Sequence, residues 1–91
     1  MANFIKDPDS ALDFSVDWSD WLTDGETIAA SSWESLDDLT IDVSTFTSSL
    51  ATAWLSGGTV NTVCRLVNTI TTDASPARID QRTITISIRE R

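Results

Sequence analysis

The run Leu12-Asp13-Phe14-Ser15-Val16-Asp17-Trp18 alternates apolar and polar residues without a break. A period of two over that length predicts a half-buried strand with Leu12, Phe14, Val16 and Trp18 turned inward. Asp24-Gly25 predicts a turn, and Thr27 to Trp33 a second strand with Ile28 and Ala30 on one face. Trp33 breaks that parity, so a bulge or strand end is expected near Ser31-Ser32. Leu39 to Val43 alternates again, and Ser44 to Ser49 reads as a polar loop carrying Phe46. Leu50 to Leu55 reads as a strand containing Trp54, closed by a turn at Ser56-Gly57-Gly58-Thr59. The last third predicts a hairpin. Val63 to Thr72 places Cys64, Leu66 and Ile70 on one face with Asn68 between them, and Thr83 to Arg89 places Ile84, Ile86 and Ile88 together. The exposed, turn-rich segment Asp73-Ala74-Ser75-Pro76-Ala77-Arg78 joins the two.

About six to seven short strands separated by turns predict an all-β chain folded as a two-sheet antiparallel β-sandwich. A small barrel satisfies the same pattern. Thirteen Thr and twelve Ser, among many Val and Ile, support strands over helices. The division expected is an extended N-terminal arm over residues 1–9, where Pro8 holds Asp7 extended, and a single sandwich domain over residues 10–91. Ninety-one residues are near the lower limit for a fold without staples. Four Trp and three Phe carry much of the core volume, since each large aromatic buries on the order of 150–250 Å².

Charge and rare residues narrow the function. The net charge of −8 excludes a nucleic-acid binder in need of phosphate neutralisation. Residues 1–45 hold eleven acidic side chains against Lys6, whereas the five Arg all lie beyond residue 46. Copies could therefore meet head to tail. The chain contains no His, which removes the commonest general base and transition-metal ligand. Cys64 is a lone thiol on the apolar parity of its strand and forms no internal disulfide. Asp20 to Glu26 does not match calcium-loop spacing, and Gly57-Gly58 has no Lys after it to make a phosphate loop. No catalytic residue, cofactor or metal site is expected. No stretch has the length of a signal-peptide core or a membrane span, so no membrane partner is expected, and the chain stays in a cytosol unless it leaves within a larger particle.

The aromatics leave the question of surface. Trp18 lies on core parity. Trp21 and Phe46, both in inter-strand segments, are expected to be the most exposed, and exposed Trp marks a protein interface or a sugar-stacking face.

The stretches Asp7 to Phe14, Asp17-Trp18-Ser19-Asp20-Trp21-Leu22, Asp24 to Ile28, Trp54 to Thr59, Asn68 to Thr72 and Arg82 to Ile86 occur in that order over nearly the whole chain. In this the chain resembles small immunoglobulin-like virion structural proteins of tailed bacteriophages. The resemblance implies an immunoglobulin-like sandwich, no catalytic residues, and a head-decorating, neck or tail-associated position. Cys64 departs from the Tyr common near that place, and Ser75-Pro76 from a Gly-containing turn. The expected function is a non-enzymatic virion component, assembled in the host bacterial cytoplasm and docked in multiple copies on capsid, portal, neck or tail proteins and on copies of itself. Phe4 and Ile5 of the arm, Trp21, Phe46, Arg89 and Arg91 are the expected contact residues. The alternative is a carbohydrate-binding or adhesive module stacking sugars on Trp21 and Trp33.

Overall fold

A computed structural model describes the chain from Ala2 to Glu90, with side chains from Phe4 onward. Seven strands follow in order: β1 (Ala2–Lys6), β2 (Leu12–Asp17), β3 (Ile28–Ser35), β4 (Leu39–Phe46), β5 (Leu50–Gly57), β6 (Thr62–Thr72) and β7 (Ile79–Ile88). One sheet has the order β1-β7-β6-β3 and the other β2-β5-β4. This is an immunoglobulin-like sandwich. Its first strand lies on the sheet of the last strand, and β1 pairs with β7 in parallel while the other pairings are antiparallel. The segment expected to extend as an arm thus supplies an edge strand.

Alternation decides which side chains fill the space between the sheets. Phe14 and Val16 of β2, Ala51, Ala53 and Leu55 of β5, Leu66 and Ile70 of β6, and Ile84, Ile86 and Ile88 of β7 are buried. Ala53 pairs with Phe14 and Ala51 with Val16, so small residues stand beside large ones on the inner face. Leu12, expected inside, is 38% exposed because β2 begins at the end of the sandwich.

Two bulges reset parity. The first falls between Ile28 and Ala30, earlier than the expected Ser31-Ser32. It leaves Ala30 exposed and turns Trp33 toward the core. The second lies between Ile41 and Val43 and sends Val43 outward, opposite Trp54. The polar stretch from Ser44 is not a loop at its start, since the ladder with β5 carries β4 through Phe46. At the Gly57-Gly58 turn both residues have positive φ, and a Cβ on Gly58 would lie 2.8 Å from Cδ1 of Ile88. No side chain fits there.

Three buried polar groups link the sheets. Lys6 is fully buried, and its Nζ donates to the carbonyls of Asp7 and Gly57 at 2.8 Å each, tying β1 to the end of β5. Cys64 donates to Oδ1 of Asp38, and burial pushes its thiol pKa up, with the Asp38 bond adding to the shift. Asn68 is also fully buried. Its Oδ1 accepts from Nε1 of Trp18 at 2.9 Å, and its Nδ2 donates to Oγ of Ser31 and the carbonyl of Ser32.

Asn68→Ala strands the Trp18 N–H in the interior and takes a donor from the Ser32 carbonyl, so a loss of about 3 kcal/mol in urea unfolding is expected. Ser31→Ala removes one acceptor near the edge and is expected to cost less than about 1 kcal/mol. Equal losses for the two variants would contradict a central role for Asn68.

Candidate interaction surfaces

The segment between β2 and β3 is acidic and aromatic, and it folds against both neighbouring loops. The backbone N–H of Trp18 donates to Ser49 and that of Ile28 to Ser48, which fixes it to the β4–β5 turn. Thr27 donates through its backbone N–H and hydroxyl to the Asp73 carboxylate, which fixes it to the β6–β7 turn. Leu22, Thr23, Glu26, Ser48 and Ser49 line a shallow open depression at this end.

Beside it the aromatic and charged groups interlock. Trp18 and Trp21 meet edge to face with centroids 5.4 Å apart. Arg78 lies 4.1 Å from the Trp21 centroid and Arg82 4.3 Å from that of Trp18. Nε of Arg78 donates to Oε2 of Glu26 at 2.9 Å, and its Nη2 donates to Oε1. The Glu26 side chain is 3% exposed, and Thr23 donates to it through both its backbone N–H and its hydroxyl. The Arg78 guanidinium, aided by the Thr23 N–H, holds the Glu26 carboxyl far below the usual range. A carboxylate bonded in this way serves structure and has no proton to exchange near neutral pH.

The two outer sheet faces differ. On β1-β7-β6-β3 the strand positions turned outward are mostly Thr, Ser, Val and Ile, with Arg65 and Glu34 the charged ones among the described residues. Ile5, Val63 and Ile79 are its exposed apolar side chains, at 53%, 53% and 68%. On β2-β5-β4 the outward face carries Asp13, Asp17 and Asp42, and its strands contain no Lys or Arg. Trp54 stands in the middle of that face, 39% exposed.

The expected contact residues separate on this frame. Ile5 is exposed on the edge strand, Phe46 is 44% exposed at the end of β4, and Arg89 is exposed after β7. Phe4 is half-buried, edge to face with Phe14 at 5.2 Å. Trp21, expected among the most exposed aromatics, is half-buried beneath Arg78, because the segment carrying it folds back onto the core. Trp33 packs against the core as well, so both members of the sugar-stacking pair Trp21 and Trp33 are half-buried. Arg91 lies outside the described residues. Sequence reasoning missed the Trp54–Asp13 pair. The signal was the parity of Ala51, Ala53 and Leu55, which turns Trp54 outward.

The fold and these surfaces define an all-β structural module whose buried polar groups hold it together and whose distinctive chemistry lies on its faces. Residues 6–87 match the family described as Podophage GP4 fiber-tail adaptor protein gp77, so the chain belongs to that family. Its role is structural and associated with the phage tail, and it is a virion component. Of the head, neck and tail positions implied by the resemblance, the family selects the tail. No curated protein matches the chain.

The carboxyls of Glu26, Asp17, Asp38 and Asp73 are held below their ordinary range. Arg78 acts foremost on Glu26, the Ser19 N–H on Asp17, the Thr59 hydroxyl on Asp38 and the Thr27 N–H on Asp73. The unfolded chain therefore binds more protons in acid, and the stability these groups add is full above about pH 5 and lost as pH falls toward their folded pKa values. Glu26→Gln removes the strongest of them. Its urea midpoint is expected to lie below wild type at pH 7, with the gap narrowing toward pH 3. A constant gap would show that the charge of Glu26 is not what holds the loop end.

Proposed function

We propose that the chain is a non-enzymatic adaptor, seated in multiple copies on the phage tail and joining it to a fibre or another virion protein. The observation that carries this reading is the pair of chemically unlike outer faces on a chain of the fiber-tail adaptor family. One face is acidic with a central Trp, and the other is nearly uncharged and β-branched. An adaptor needs two surfaces that do not compete for one partner, and charge contrast separates them. In this reading Ile5 contributes to the uncharged face, Phe46 at the rim and Arg89 after β7 make contacts outside the faces, and Arg91 is a further contact residue. Phe4 and Trp21 act from behind, fixing β1 and the loop end in position.

The rigidity of the loop end favours the same role. Loops tied by ion pairs and ring contacts lose little freedom when a partner binds. Self-association between copies adds stability by mass action to a chain without disulfides.

Sedimentation of the purified chain with tails from particles assembled without it tests the proposal. Co-sedimentation at a fixed number of copies per tail is expected. A monomer that stays in the supernatant would overturn it.

A further inference from the structure

Two tryptophans in this chain carry an arginine on the ring, each beside a carboxylate. Arg78 lies on Trp21 and bonds Glu26, and Arg82 lies on Trp18 and is attracted by Asp17. Trp54 has the carboxylate without the arginine. It pairs directly with Asp13 of β2, on the outer face, with Val43 of β4 on its other side. Side chains directly opposite in antiparallel strands have Cβ atoms about 5 Å apart. Asp13 is exposed, and among the described residues no cation lies over the Trp54 ring.

We propose that the Asp13–Trp54 pair is the docking point for an arginine-bearing segment of another virion protein. The guanidinium stacks on the indole and donates to the Asp13 carboxylate, with the Val43 side chain flanking the contact. The inference rests on the adaptor reading and assigns one of its two faces. Charge complementarity selects the occupant, since Asp13, Asp17 and Asp42 face the partner with no Lys or Arg in these strands to oppose a cation. Arginine suits the site better than lysine because its planar guanidinium stacks and forks at once. A second copy of this chain is a poorer occupant. Of the arginines with described side chains, Arg65 pairs with Asp37, and Arg78 and Arg82 are engaged at the loop end, which leaves Arg89 as the one a second copy could offer.

The test measures binding of the full-length chain to tails stripped of it and, separately, to purified fibres. Trp54→Ser is expected to weaken one of the two reactions roughly 30-fold and leave the other unchanged, as for a central anchor residue. Asp13→Asn is expected to weaken the same reaction less and flatten its salt dependence, and Asp13→Arg to weaken it more than Asp13→Asn. Val63→Thr on the opposite sheet is expected to leave that reaction unchanged. All three altered side chains are exposed, so melting curves are expected to match wild type. Variants that bind tails and fibres like wild type would overturn the proposal while leaving the adaptor reading intact. A wild-type chain that binds neither would overturn both. Self-association abolished by Asp13→Arg would make the occupant a second copy and also overturn it.

Discussion

The hydrogen bond from Trp18 to Asn68 holds the two sheets in one relation, and the loop end is built upon it. Trp18 directly follows β2 and Asn68 sits in the middle of β6, so the bond crosses the sandwich. Asn68 passes the constraint to β3 through Ser31 and Ser32. On the other side the ring of Trp18 supports Trp21 and Arg82, while its carbonyl accepts from the backbone N–H groups of Trp21 and Leu22. Trp21 in turn supports Arg78, which holds Glu26. A satisfied buried polar network in a small core fixes one arrangement more sharply than apolar packing alone. With no disulfide available, that network and the buried Lys6 strap set the geometry.

The position of most strands along the chain and most of the core were legible in the sequence because alternation reports burial directly. Phe14, Val16 and Trp18, and Ile84, Ile86 and Ile88 of β7, sit where period two places them. Reading failed where the period was interrupted. The bulge at Ile28/Ala30 moved the parity of β3, and the Ile41/Val43 bulge moved that of β4. The extension of β4 through Ser44 and Thr45 follows from a ladder with β5 that local polarity does not announce.

The surface was less legible because its chemistry arises between elements. Nothing along the chain says that Lys6 turns inward to two carbonyls, or that Arg78 and Arg82 of the β6–β7 region cover tryptophans some sixty residues earlier. Once those arginines cover Trp21 and Trp18, and Trp33 packs inward, Trp54 is left as the exposed tryptophan on an acidic sheet. The acidic first half of the chain thus resolves into a face with a focus. The opposite sheet, with its Thr, Val and Ile rows, offers a flat surface of another kind. Membership of the fiber-tail adaptor family gives that contrast its meaning.

The most direct measurement is a cryo-electron microscopy reconstruction of the intact tail at a resolution that separates strands. The account predicts a ring of these sandwiches in which the β2-β5-β4 face and the β1-β7-β6-β3 face are covered by different chains. A reconstruction with either face open to solvent, or with the sandwich absent from the tail, would contradict it.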